Sequence, residues 1–584
     1  MEFTSINALL DAYKQKLITP EEYLNLAWRK AKADAHNCWI SVVSEAQLDG
    51  YIKRLNSVNP KFLPLYGVPF AVKDNIDLAG LPTTAACEPF SYTPGQSAFV
   101  VQALIEAGAV PLGKTNLDQF ATGLNGTRSP YGACKNSIDP TYISGGSSSG
   151  SAVAVALNQA MFALGTDTAG SGRVPAAFNQ LVGLKASIGR LSCRGVVPAC
   201  RSLDCVTLLA NSVEDIQYLL PIAGQYDPQD AYARDFAEAE IEPEYMASLP
   251  RIGVPNQSLL SFFGNDDFEA RFDAAKKQCQ NLGAELVELD FKHFLDAAKL
   301  LYDGPWVAER YAAIQTFFDE HESQCESSIQ AIVSSARSLS AVDAFEAQYE
   351  LKALKQKADS ILSKVDAILI PTAGTIYTIA EMRDNPIELN TNLGYYTNFM
   401  NLLDYVAIAI PADERGKGMP FGITLFGDKG SERKLLALAD AYESERAFDV
   451  IEPVPESMLI AVCGAHMKDL PLNHQLTDRQ ASFVAQRQSA ANYRLFALAG
   501  EGPKRPGMVK VTEGGVSIAM ELWEMPIARL GDFLANIPSP LGLGKVELDD
   551  GTQVTGFICE QAGTVGAVDI SEYGSWRTYQ RREP

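Results

Sequence analysis

The sequence predicts an α/β protein: a mixed, largely parallel central sheet covered by helices on both faces, joined to a small C-terminal α+β domain. Three observations predict it. Short apolar runs at 65–74, 251–255, 284–291 and 365–371 alternate with long helical patterns such as 267–282 and 341–364, and that alternation makes a sheet buried on both faces. A chain of 584 residues exceeds what one core usually holds. Near Arg446 the stretch RAFDVIEPVPESM, rich in Pro and acidic residues, separates this pattern from a series of closely spaced strands. Residues 1–445 are therefore expected to form the main domain, 446–457 a linker and 458–584 the second domain.

Taken in order, Thr19-Pro20-Glu21-Glu22 is a capping box with Pro at the first helical position, and the helix it opens is expected to reach about residue 35. The run LYGVPFAVKD at 65–74 is apolar until its last two residues, which puts Lys73 at the edge of the core. Residues 98–113 read as a helix followed by a short strand. Residues 142–173, YISGGSSSGSAVAVALNQAMFALGTDTAGSGR, hold two Gly/Ser turns separated by an apolar segment, 152–164, that reads as a helix buried all round. A flexible tether does not run straight into such a segment, so the turns read as an active-site floor, where Gly lets backbone N–H groups face a ligand. Beyond the linker, LIAVCGAHM, YRLFALAG, GMVKV and VSIAMELWEM read as strands, with turns at 513–515 and 549–551.

Composition narrows the partners. Acidic residues outnumber basic ones 71 to 49, for a net charge of -22, and no Lys/Arg-rich run interrupts them. Nucleic acid and anionic membranes are poor partners for such a surface, and a small-molecule substrate is expected. The N-terminus lacks the basic and apolar regions of a signal peptide, and the longest apolar run is too short to span a bilayer. The ten cysteines are scattered singly with no C-x-x-C pair, so neither a metal site nor a disulfide framework is suggested, and the cytoplasm is the expected compartment.

A serine hydroxyl needs a base before it attacks anything. Histidine is scarce, with only His36, His293 and His321 in the first 455 residues. Gly146-x-Ser148-x-Gly150 matches a nucleophile elbow, but that motif follows a strand and the segment before it reads as a turn. A phosphate loop would require Lys where Ser151 stands. Lys73 is the remaining candidate, since burial lowers a lysine's pKa and leaves a neutral amine able to take a proton. Against it stands the snorkelling surface lysine, and spacing alone does not decide.

The motifs GGSSSGSAVAV and LGTDTAGSGRVPAAFNQLVGLKAS resemble the central signature of the amidase signature family, and LYGVPFAVKDNID and GMPFGITLFG resemble its flanking motifs. The resemblance covers most of 65–427. It implies the amidase signature fold, an amide-hydrolysing activity without cofactor or metal, and a Ser-Ser-Lys set with Ser171 as nucleophile, Ser147 as bridging serine and Lys73 as base. It further implies a cis peptide beside the bridging serine, an oxyanion hole from the N–H groups of Thr168, Ala169, Gly170 and Ser171, and dimerisation through this domain. Ala169 replaces the family's commoner Gly, which is harmless if its φ is negative.

Tyr302 and Arg310, in LYDGPWVAERYAA, resemble the pair with which allophanate hydrolases hold a substrate carboxylate, and Gly123 in FATGLNG resembles a backbone contact to the same substrate. GAHMKDLPLNHQL and DISEYGSWRTY resemble the extra C-terminal domain of those enzymes, itself similar to the γ-glutamylcyclotransferase fold. The resemblance implies hydrolysis of allophanate to ammonia and N-carboxycarbamate, decarboxylation of the latter helped by the second domain, and a functional link to a urea carboxylase. In that domain His466 and His474 suit proton handling near neutral pH, though each is equally read as a structural histidine. Tyr573, Trp576 and Arg577 read as an anion site or an aromatic-capped core, with Glu521 and Glu524 as weaker candidates. The alternatives are an amidase of another small carboxylate-bearing amide such as malonamate, or a component of an amidotransferase.

Overall fold

The computed structural model describes residues 3–236, 249–412, 418–448, 457–498 and 504–582. These fall into two compact units, one ending at 448 and the other starting at 457. Residues 449–456 of the expected linker lie outside the described residues.

The first unit is built on an eleven-stranded sheet. In chain order its strands are β1 (Trp39–Val42), β2 (Pro69–Lys73), β3 (Val110–Thr115), β4 (Phe162–Asp167), β5 (Val182–Lys185), β6 (Cys205–Ala210), β7 (Arg251–Pro255), β8 (Glu285–Leu289), β9 (Ala367–Pro371), β10 (Tyr405–Pro411) and β11 (Gly422–Asp428). Their spatial order is β1-β3-β2-β4-β6-β5-β10-β11-β9-β7-β8. Only β3-β2-β4 and β9-β7-β8 are parallel neighbours, while every pairing from β4 through β6, β5, β10 and β11 to β9 is antiparallel. The sheet is mixed, as expected, but not largely parallel.

The difference arises because β5, β6, β10 and β11 are short continuous apolar runs with no helix pattern between the members of each pair to mark a crossover. Strands buried on both faces lose the polar alternation that would reveal them. The helix opened by Thr19 forms with its full capping box, and it ends at Lys32.

The segment between the two Gly/Ser turns needs a correction. Only Ser149–Ala156 is helical. Asn158 adopts a left-handed conformation (φ 52°) and turns the chain, and Phe162–Asp167 is strand β4. Asn158 and Gln159, the polar interruption in the run, mark that break. The short helix packs on β2, β3, β4 and β6, so the two serine turns are joined by a helix, a turn and a strand.

The second unit has a five-stranded sheet ordered β13-β16-β12-β18-β17 and a three-stranded sheet β15-β14-β19. The strands are β12 (Ser457–Val462), β13 (Ser482–Gln488), β14 (Tyr493–Leu498), β15 (Arg505–Lys510), β16 (Ala519–Pro526), β17 (Leu541–Glu547), β18 (Gln553–Cys559) and β19 (Val568–Asp569). All pairings are antiparallel except β12 with β18. The turn at 549–551 closes the β17–β18 hairpin, whereas 513–515 lies between strands of different sheets. Among the described residues no helix is long and apolar enough to cross a membrane.

Candidate active site

Lys73 ends β2, and its side chain is fully buried rather than at the edge of the core. Its Nζ donates to Ser147 Oγ at 2.8 Å and to Thr166 Oγ1 at 2.7 Å. Burial pushes the ammonium down to about 7, against the opposing pull of the Asp118, Asp167 and Asp204 carboxylates. The amine is thus poised to exchange a proton with Ser147 near neutral pH. The peptide between Gly146 and Ser147 is cis. Asn75 Nδ2 donates to Thr166 Oγ1 at 3.4 Å, which makes Thr166 the link between two buried donors.

The second serine lies in a turn organised by an ion pair. Arg173 donates to both oxygens of Asp167 at 2.9 Å, with both side chains fully buried. Asp167 in turn accepts the backbone N–H groups of Gly170 (2.8 Å) and Gly172 (3.1 Å). Burial opposes this carboxylate's charge, but Arg173 and the Gly170 N–H hold its pKa below the usual range. Gly170 takes φ 123°, and a Cβ there would lie 2.4 Å from Thr397 Oγ1. Ala169 is not among the positive-φ residues, so the departure from Gly costs the backbone nothing.

One expected donor is already engaged: the Gly170 N–H is spent on Asp167. The N–H groups of Thr168, Ala169 and Ser171 have no intramolecular acceptor among the described residues. Thr168 Oγ1 donates to Asp204, whose carboxyl is pushed up to about 6 by burial. Ser171 Oγ donates to the Gly123 carbonyl at 3.4 Å, and no bond from it to Ser147 forms in this geometry.

Arg310, on the helix Trp306–His321, is buried, with 3 % of its surface exposed. Its Nη1 donates to Thr122 Oγ1 at 3.0 Å, its guanidinium lies 5.6 Å from the Tyr302 ring centroid, and its Nε has no partner. No carboxylate pairs with it among the described residues. A buried guanidinium left in this state is costly unless an anion completes it. Thr122 precedes Gly123, so the unpaired cation and the Ser171 hydroxyl are tied to adjacent residues of one loop.

Sequence reading named Lys73, Ser147, Ser171, Gly123, Tyr302 and Arg310; the structure joins Lys73 to Ser147, Ser171 to Gly123, and Arg310 to Tyr302, and adds Thr166, Asp167, Arg173, Asp204 and Thr122, which sequence reading did not name. Asp167 and Arg173 carried a usable signal, being the two charged residues that flank the second serine turn.

In the second unit the two histidines part company. His466 stacks on Phe557 (4.7 Å between ring centroids), meets Phe533 edge-on and bonds Gln475 at 2.9 Å; burial holds its pKa below the ordinary value. His474 is exposed, its Nδ1 3.0 Å from the Pro471 carbonyl oxygen. Neither lines the polar pocket of about 300 Å³ that gathers Arg487, Glu521, Asp549, Ser575 and Arg577. There Arg577 pairs with the buried Glu521 at 2.7 Å, and Glu521 also accepts from the Lys468 N–H and from Trp523 Nε1. Trp576 is wholly buried in the core and Glu524 accepts from Ser457.

Comparison with known proteins shows the family of each unit. The Amidase family matches residues 22–436, and the allophanate hydrolase C-terminal domain matches 458–581. Urea amidolyase of Saccharomyces cerevisiae is 41% identical over 577 residues, covering 94% of this chain and 31% of the relative, so the chain spans about a third of the length of the urea amidolyases it matches. The structure of Kluyveromyces lactis allophanate hydrolase is 38% identical with a TM-score of 0.75, covering 99% of each chain. A glutamyl-tRNA(Gln) amidotransferase chain of Methanosarcina mazei is 32% identical over 71% of this chain and 94% of the relative. The chain belongs to the Amidase family and carries an allophanate hydrolase C-terminal domain.

Proposed function

We propose that this protein hydrolyses allophanate, releasing ammonia from its terminal amide. Arg310 is the observation that carries the reading: a buried, unpaired guanidinium joined through Thr122 and Gly123 to the serine hydroxyl calls for a substrate with a carboxylate at one end and an amide at the other. Similarity to allophanate hydrolase over the whole chain favours allophanate among such amides.

In the mechanism Lys73 takes a proton from Ser147, Ser147 takes one from Ser171, and Ser171 Oγ attacks the amide carbonyl. For this the Ser171 hydroxyl turns from Gly123 to Ser147 once substrate is bound. The oxyanion is received by the N–H groups of Thr168, Ala169 and Ser171. The tetrahedral adduct collapses with proton return to the leaving nitrogen, ammonia departs, and water activated by the same relay cleaves the acyl-enzyme to N-carboxycarbamate. The second unit promotes decarboxylation of that product; its polar Glu521–Arg577 pocket and its two histidines are the groups available for this. Such an enzyme draws its substrate from a urea-carboxylating activity and works as a homodimer in the cytoplasm.

The glutamyl-tRNA(Gln) amidotransferase relatives share the amidase unit, but the acidic surface disfavours tRNA and the C-terminal domain is that of allophanate hydrolases. Ammonia release measured over allophanate, malonamate and biuret tests the reading, which fails if malonamate is preferred.

A further inference from the structure

The loop at 118–128 contains two consecutive non-glycine residues in left-handed conformations, Phe120 (φ 50°) and Ala121 (φ 54°). Each costs on the order of 1–3 kcal/mol and persists only where its surroundings hold it. Here one side chain accepts three of the loop's backbone N–H groups. Asp118 is fully buried; its Oδ2 accepts the N–H groups of Asn125 (3.2 Å) and Gly126 (3.0 Å), and its Oδ1 accepts that of Arg128 (3.0 Å). Its own N–H donates to the carbonyl of Ser147 at 3.3 Å. The fit is close: a Cβ on Gly146 would lie 2.1 Å from Asp118 Oδ2, and one on Gly123 2.7 Å from it. The loop so held offers Thr122 to Arg310 and the Gly123 carbonyl to Ser171.

We propose that Asp118 is a positioning residue for the amidase reaction: its backbone N–H meets the bridging serine's carbonyl, its carboxylate fixes the loop that carries the nucleophile's resting acceptor and the partner of the carboxylate-binding arginine, and its charge steadies the protonated base. The proposal rests on the roles assigned above to Lys73, Ser147 and Ser171.

Three carboxylates face Lys73, together with the hydroxyls of Ser147 and Thr166. Asp167 is neutralised by Arg173. Asp204 is engaged with Thr168 and the N–H groups of Ala199 and Cys200. Arg128 is the cation beside Asp118, but its guanidinium donates to the Thr122 and Pro386 carbonyls. Asp118 is the first of the three in its pull on Lys73. Removing its charge lets Lys73 lose its proton at lower pH, so the acid limb of reactivity moves down in pH. In Asp118→Asn an NH2 group replaces one of the two oxygens and faces an N–H it cannot accept, so at least one of the three bonds is lost and the loop is displaced; misplacement of this kind costs about 10²-fold in rate.

The experiment compares the full chain with Asp118→Asn and Asp118→Glu, measuring the rate of covalent labelling by a fluorophosphonate against pH and locating the label by peptide mass spectrometry. Labelling at Ser171 in the unaltered protein is expected; its absence overturns the underlying Ser-Ser-Lys reading rather than the role of Asp118. With labelling present, Asn is expected to lower the plateau about 10²-fold and shift the acid limb to lower pH, while Glu lowers the plateau with the limb in place. A plateau loss in Asn with an unmoved limb, or an unchanged profile, overturns the proposal. Should Asp118→Asn not fold, hydrogen exchange on the unaltered protein decides: slow exchange of the Asn125, Gly126 and Arg128 amides supports the clamp, and fast exchange overturns it.

Discussion

The lowered pKa of Lys73 comes at the expense of the fold. Its folded pKa of about 7 lies below the ordinary 10.5, so between those values the unfolded chain binds the proton more readily and stability rises with pH through that window. Lys73→Met removes both the base and the penalty. Activity is expected to vanish while the melting temperature at pH 7 does not fall, because the relieved desolvation offsets the partner lost by Ser147, and Thr166 keeps its bond from Asn75; the variant's stability should also lose the rise between pH 7 and 10. Thermal scans across that range check both. Arg310→Met should cost about 2–5 kcal/mol in kcat/KM for a carboxylate-bearing amide, with little change for a neutral amide. Steady-state kinetics on the two substrate types separates carboxylate recognition from general damage. From residues alone Lys73 was one of two readings, because burial of a lysine at a strand end is a property of the sheet around it. Thr166 and Asp204 were illegible for the same reason, since a threonine or aspartate beside an apolar run carries no mark of what it faces.

At the scale of elements, the turn after β4 is the most constrained piece of the site. Its backbone is fixed by Asp167 and Arg173 and cannot move away from Thr397, so Gly170→Ala meets both a φ of 123° and an overlap at 2.4 Å. The variant should lose more than about 1 kcal/mol of stability and most of its activity, checked by denaturant titration and turnover. Strands with turn punctuation or flanking helices, such as β7, β8 and β9, were legible to within two residues at either end. The helix read over 152–164 was not: it gave way to β4 because Asn158 turns the chain and the sheet between β2 and β6 recruits Phe162–Asp167. Propensity for helix lost to pairing on both sides, and no local pattern announces that contest.

For the whole molecule, each unit has its own core, one drawn from residues up to Phe448 and the other running from Ile460 to Trp576. A protein ending at residue 448 is therefore expected to fold and to release ammonia at a comparable rate, with slower appearance of carbon dioxide. Parallel assays of the two products check this, and loss of ammonia release would make the units interdependent. The α/β class and the second α+β unit followed from patterning, while the antiparallel middle of the sheet depended on pairings between segments far apart in sequence.

The proposed reaction has Ser171 attack an amide whose carboxylate end is held by Arg310. Ammonia release from allophanate, measured on the purified protein beside Ser171→Ala and with malonamate as competitor, tests this most directly. The predicted result is turnover of allophanate in preference to malonamate, abolished in the alanine variant. Retained turnover in that variant, or no turnover of allophanate by the unaltered protein, would contradict it.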